Sequence, residues 1–221
     1  HAFNDWNQLR FRGNFNAGTN TSDNISQQQT LRPDGTLQNR ARSTVATDGD
    51  NLNGDGRFTF SRRFNQAGRS LVAEAWGELS SPDQLTNLSS STDLSDGLGG
   101  ITTRDILQSQ HRDSRTFTTG QRLALTEPLG GGSVLELFGQ HRAIAEDQTY
   151  DVNDLVNGTP VPNTDLSRAF ERTYRYVQGG TRFSRNSPTL RWVLGLEVQS
   201  SDLQGTILGR NESIDNGFTN L

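Results

Sequence analysis

The chain has no cysteine and no methionine. Without cysteine there is no disulfide framework, no thiolate zinc site and no thiol nucleophile. Without an initiating methionine, the sequence reads as a processed chain or a fragment. Lysine is missing as well, so all 21 basic residues are arginine, and 25 acids outnumber them for a net charge of -4. That balance holds no basic excess to neutralise phosphates, so no nucleic-acid partner is expected. Hydrophobic residues supply only 30% of the chain and the mean hydropathy is -0.71, poor for a globular protein. Long apolar runs are also lacking. No stretch of about 18 apolar residues occurs, which excludes a transmembrane helix, and the opening HAFNDWNQLR has no signal-peptide apolar core. One membrane option survives these absences. A β-barrel crosses with strands that alternate apolar-out and polar-in and so look hydrophilic on average.

What the sequence does contain is a period of two. In NQLRFRGNFNAG, Leu9, Phe11, Gly13, Phe15 and Ala17 alternate with Arg10, Arg12, Asn14 and Asn16. A turn signal, RPDG, follows at Arg32–Gly35, with residues whose side chains and φ preferences suit a tight reversal. Residues 5–30 and 38–64 therefore read as one long hairpin. NQAG at 65–68 reads as a short turn, and SLVAEAWGELSS then sets Leu71, Ala73, Ala75, Gly77 and Leu79 against Glu74, Trp76 and Glu78. Residues 82–104, rich in Ser, Asp and Gly, read as a long loop. SRTFTTGQRLAL, VLELFGQHRAIA, FERTYRYVQGGTRFS and LRWVLGLEVQS read as further strands. EPLGGGS and RNSPT are short turns between them, and 146–167 is a second long loop.

The expected fold is all-β, an antiparallel transmembrane β-barrel segment of about seven long strands, with short periplasmic turns and long extracellular loops. The runs are longer than the five or six residues usual in soluble sheets and close to the 9–11 that cross a bilayer at a tilt. Phe58, Phe64, Phe117, Tyr174, Tyr176 and Trp192 fall near strand ends or beside the apolar stretches, where interfacial girdles lie. In VLELFGQHR, Leu135 and Leu137 share one face and Glu136, Gln140 and Arg142 the other, with Phe138 on the polar face as a local exception.

Three stretches carry a family resemblance. GDGRFTFSRRFNQAGRSLVAEAWGE is similar to a strand–turn–strand unit, LTEPLGGGSVLELFGQHR to a Glu-Pro-Leu hairpin, and LSRAFERTYRYVQGGTRFSRNSPTLRWVLGLEVQSSDLQG to a descending and an ascending strand. All three units belong to the outer-membrane β-barrel domain of TonB-dependent receptor-like proteins, familiar from Bacteroidetes. The resemblance is strongest over 54–206, and residues 1–221 are expected to be a partial barrel domain. It implies a large barrel in the cell outer membrane, surrounded by outer-membrane lipid. The parent protein would carry a plug domain, be energised through TonB, and import an unknown ligand. The chain shows no plug and no TonB box, and about seven strands cannot close a barrel of the 22-stranded class. A fragment from the middle of a larger barrel is therefore expected. A non-transporting structural or adhesion barrel, and a small barrel complete in itself, are the alternatives.

Arg10, Arg12, Glu74, Glu78, Arg122, Glu136, Arg142, Arg175 and Glu197 are the lumen-facing polar candidates, suited to salt-bridge ladders between strands or to contacts with a plug. Asn51, Asn53 and Asp55 followed by Gly56 match part of an EF-hand spacing. Arg62 stands where the bidentate Glu belongs, so a Gly/Asn/Asp-rich hairpin segment is the better reading. His111 and His141 would form a metal site only on neighbouring strands with a third ligand; solvated histidines beside Arg112 and Arg142 are the plainer alternative. No Gly-x-Ser-x-Gly elbow, His-Glu-x-x-His motif or P-loop occurs. Neither an enzyme nor a cofactor or metal is expected.

Overall fold

A computed structural model describes residues 2–4, 6–64, 68–98, 100–208 and 212–220. The described residues form ten strands in chain order: β1 (Ala2–Asn4), β2 (Asn7–Leu31), β3 (Leu37–Arg63), β4 (Ser70–Ser95), β5 (Ile101–Gly130), β6 (Ser133–Val156), β7 (Thr159–Pro162), β8 (Arg168–Asn186), β9 (Arg191–Leu208) and β10 (Glu212–Asn220). All pair antiparallel in one sheet, ordered β1-β2-β3-β4-β5-β6-β8-β9-β10, with β7 folded back on β6. Chain neighbours are sheet neighbours throughout, so every connection except that around β7 is a plain hairpin. Seven of the strands are long, from 18 residues in β9 to 30 in β5, as the alternation implied.

The turns show why the chain reverses where it does. At RPDG, Arg32 N–H donates to the Thr36 carbonyl at 2.8 Å, and Gly35 takes φ 82°, a region that costs glycine nothing. Between β5 and β6, Gly130, Gly131 and Gly132 have φ of 84°, 60° and 76°. A Cβ on Gly132 would collide with the Asn186 carbonyl oxygen of the next turn. The turn read at 65–68 lies outside the described residues, apart from Gly68.

The expected long loops are strand instead. Of residues 82–104, only 96–100 lie outside β4 and β5. Of 146–167, β6 takes the first part as far as Val156, and Asn157 and Gly158, both at positive φ, turn the chain into β7. The segment Glu212–Asn220 is likewise strand, β10. Sequence patterning missed these because it detects a face that is dry on one side. Here both faces are polar, and the backbone ladder to two neighbours holds the strands together. Pro82 shows the limit of that tolerance. It keeps its register against Asn51 of β3, while the pairing to β5 lapses between Ser80↔Thr116 and Asp83↔Asp113, on the side where a proline cannot donate.

A dry core is missing. Among the described residues, Ala124 and Val152 are the only buried hydrophobic side chains. Phe11 and Phe15 are 74% and 73% exposed. Apolar side chains left open in such number mark a surface meant to be covered by something other than water.

Candidate functional site

Residues directly opposite one another in an antiparallel ladder point to the same face, so the register sorts the sheet. One face collects Leu9, Phe11, Phe15 and Ala17 of β2; Phe60, Phe58 and Leu52 of β3; and Leu71, Ala73, Ala75 and Leu79 of β4. It continues through Leu125, Leu123 and Phe117 of β5; Leu135, Leu137, Ala143 and Ala145 of β6; Phe183 and Val177 of β8; and Trp192, Leu194, Leu196 and Val198 of β9. This is a continuous apolar belt. The Phe183 and Trp192 rings, 5.1 Å apart, sit at its lower rim.

The belt does not run along the ladder rows. Its lowest apolar residue is Leu9 in β2, but Leu71, two rows lower, in β4, and Trp192, lower again, in β9. The lower rim drifts by about one residue per strand and the upper rim by about 1.3. With a rise near 3.4 Å and a strand spacing near 4.8 Å, that drift corresponds to a tilt of roughly 35–43°. Leu9 to Ala17 spans about 27 Å along the strand, hence about 20–22 Å vertically at that tilt. Side chains extend this towards the roughly 25 Å apolar band of outer-membrane barrels, whose strands tilt about 35–45°.

The two ends of the belt differ. Below it the chain turns at once, at Phe64, Gly130–Gly132 and Asn186. Above it β2 and β3 continue from Ala17 and Leu52 to the Leu31–Leu37 turn, a further roughly 48 Å of ribbon. The asymmetry expected as short turns and long loops is present as strand overhang. At the lower end Arg69 donates to Glu127, with Nη2–Oε1 at 2.8 Å. The pair holds the Glu127 carboxyl below its usual range and raises Arg69. At the upper end Asp96 accepts from the N–H groups of Leu98 (2.7 Å) and Gly100 (2.9 Å), which lower its pKa. Asp34 is lowered by the Thr36 hydroxyl and N–H.

The opposite face is a polar ladder. It holds Arg10, Arg12, Glu74, Glu78, Arg122, Glu136, Arg142 and Glu197, the candidates expected to share a surface. Arg122 Nη2 donates to Glu136 at 2.9 Å and its guanidinium lies 5.7 Å from the Phe138 ring centroid. Thr59 donates to Glu74 at 3.4 Å, Gln140 to the Tyr176 hydroxyl at 2.8 Å, and Gln178 to Glu197. Arg142 Nε is buried with no partner among the described residues. Arg175 is the exception. It is on the belt face, opposite Ala143 and Asp202, just above the apolar rows. The strand alternates strictly, and an odd number in β8 faces the belt. Tyr174 and Tyr176 accordingly lie on the polar face, not in a lipid-side girdle, and Tyr174 donates to Ser201 at 3.2 Å.

Phe138 on the polar face has a physical reason that sequence alone did not supply. It lies over Gly180, where an added Cβ would come within 2.9 Å of its ring. Trp76 repeats the arrangement over Gly120, with Arg57 at 5.6 Å from its ring. Both large rings fill the space that glycine leaves on the neighbouring strand. The signal that could have found them is an aromatic among polar in-phase residues, matched to a glycine one strand away.

The weighed cation sites do not assemble. Asp48 and Asp50 are on the belt face and Asn51, Asn53 and Asp55 on the opposite one, spaced along straight β3, where Ser80 donates to Asn53 and Asn14 to Asp55, so the EF-hand-like spacing does not converge. His111 and His141 are both on the belt face of adjacent strands but ten residues out of register, His111 opposite Asp151 and His141 opposite Gln121. His111 Nε2 is instead 2.7 Å from Asp83. Among the described residues no group of three or more His, Asp or Glu side chains could hold a metal ion.

No protein-family model matches the chain, and no curated protein does. Among solved structures it is similar to the ferripyoverdine receptor of the outer membrane of Pseudomonas aeruginosa, bound to ferripyoverdine, at 11% identity and a TM-score of 0.34. The match covers 96% of this chain and 39% of that one, so the chain spans about two fifths of that receptor's length.

Proposed function

We propose that this sheet is a segment of an outer-membrane β-barrel of the TonB-dependent receptor type, and that the whole protein takes up a ligand across the outer membrane without catalysis. On this reading residues 1–221 are part of one barrel domain. Outer-membrane lipid covers the belt, and a plug domain and TonB act on the parent protein. The observation that carries the membrane part is the belt itself: an apolar surface of bilayer height, inclined to the strands at the tilt a barrel requires, backed by a polar face. A soluble sandwich would cover that belt with a second sheet, and a dry inner layer would follow. Transport is supported by the hairpin motifs around Glu127-Pro128-Leu129 and by a polar face able to line a wet lumen.

Two measurements test the two parts. In cells making the full-length protein, single cysteines at Phe11 and Phe15 should resist a water-soluble maleimide, and cysteines at Arg12 and Asn14 should react. Equal reactivity on both faces would refute the membrane reading. For transport, a gene disruption should abolish uptake of one class among ferric chelates, corrinoids, oligosaccharides and peptides, and a protonophore should abolish the same uptake in the parent strain. If no class responds, the barrel is a scaffold and the transport reading fails.

A further inference from the structure

The belt is not uniform. At mid-height on β5 and β6 it carries Gln121 and His141, directly opposite each other, with the smaller Thr119 next in phase on β5. Gln121 is exposed and His141 half-buried, and neither side chain has a hydrogen-bond partner among the described residues. Ala75 and Val177 flank them along the row, and Gly139 and Ala143 stand beside His141 on its strand. The belt's phenylalanines on β2 and β3 and its leucines on β9 lie to either side. On the proposed reading this row is at the bilayer midplane. Polar groups there are costly against hydrocarbon and normally meet a partner.

We propose that the Gln121–His141 patch is a lateral dimer contact, occupied by a second copy of this chain related by a twofold axis along the membrane normal. The inference rests on the membrane reading above. The chemistry is self-complementary. The glutamine amide and the neutral imidazole each carry a donor and an acceptor, so Gln121 of one copy pairs with His141 of the other, and the symmetry repeats the bond. No like charges are brought together. The geometry fits as well. Strands tilted roughly 35–43° on two facing barrels cross at roughly 70–85°, so contact is confined to a patch around one crossing. Alanine and glycine at that crossing let the two surfaces approach.

The test uses the full-length protein in its outer membrane, with single cysteines introduced at Gln121 and, as control, at Phe15 on the same belt. An oxidant should convert Gln121→Cys to a disulfide dimer of twice the mass and leave Phe15→Cys monomeric. If both stay monomeric while a lipid-phase thiol reagent labels both, the dimer is refuted and the membrane reading stands. If a water-soluble reagent labels both, the membrane reading itself fails. Cross-linking of Gln121→Cys to a different protein also overturns the second copy as occupant. As an independent readout, the double variant Gln121→Leu/His141→Leu should weaken self-association about eightfold, the loss of two membrane hydrogen bonds of average strength. Unchanged association would overturn the proposal.

Discussion

Leu71 and Leu196 stand on one hydrogen-bonded row of the sheet, linked through Leu125, Leu137 and Thr181. They are the same residue type on the same face. If the sheet stood upright in a membrane they would lie at one depth. The inclined belt separates them. Leu71 is the lowest apolar belt residue of β4, whereas Leu196 has Trp192 and Leu194 below it in phase and Val198 above. Four residues of rise at the inferred tilt put Leu196 about 10 Å deeper than Leu71. An arginine on the lipid face costs about 2–4 kcal/mol at the midplane and about 0–1 kcal/mol near an interface. Leu196→Arg should therefore destabilise by about 2–4 kcal/mol and Leu71→Arg by at most about 1 kcal/mol. Because leucine is lost in both, the difference isolates depth. The assay is denaturant titration of the full-length protein folding reversibly into lipid vesicles, followed by tryptophan fluorescence. Equal costs, or a larger cost at Leu71, would refute the tilt and with it the argument that the belt matches a barrel.

Further expectations follow from named contacts. Gly120→Ala drives a Cβ into the Trp76 ring, and should cost about 1–3 kcal/mol and shift tryptophan emission, whereas Gly139→Ala, with open space at its Cβ, should do neither. A double-mutant cycle on Arg122→Ala and Glu136→Ala should give a coupling of no more than about 1 kcal/mol, since both groups remain partly solvated; a coupling of several kcal/mol would mean a drier inner face. Asp96 has its pKa lowered in the folded turn, first by the Leu98 N–H, so its contribution is full above the unfolded value near 3.9 and lost as pH falls through the lower folded value. The protection of the Leu98 and Gly100 amides relative to their intrinsic exchange rates should fall below about pH 4, and Asp96→Asn should remove that fall.

What was legible in the sequence was whatever leaves a one-sided trace. Leu9, Phe11 and Phe15 against Arg10, Arg12 and Asn14 announce a strand with unlike faces, and RPDG and Pro-Leu-Gly-Gly-Gly announce reversals. From these the seven long strands and the hairpin order follow, and so does the shared face of eight of the nine polar candidates. Arg175 was misplaced because FERTYRYVQ reads equally well with its tyrosines in or out. Only the register against Ala143 and Asp202 decides it. The overhanging halves of β4, β5 and β6 left no trace at all, since Ser, Thr, Asn and Asp on both faces are also the composition of a loop. The Asn157-Gly158 turn was legible in principle, being the strongest short hairpin signal there is.

The inclination of the belt was present in the sequence only in relative form. Each strand shows where its apolar stretch begins, but no strand shows where its neighbour begins until the register is known. Once the register is set, the drift and the closure problem are one fact. A sheet whose belt descends by about one residue per strand must curl with a stagger, and a staggered sheet leaves edges until it meets itself. Here β2, beyond the short β1 beside its start, offers residues 10–31 as edge and β10 offers 9 residues, lengths too unlike to pair fully with each other. On the proposed barrel reading further strands would cover the β2 edge, and without them this sheet should associate through it rather than stand alone in water. Limited proteolysis of the isolated chain in detergent would expose the difference, because an edge that finds a partner becomes protected over residues 10–31 and one left open is cut first.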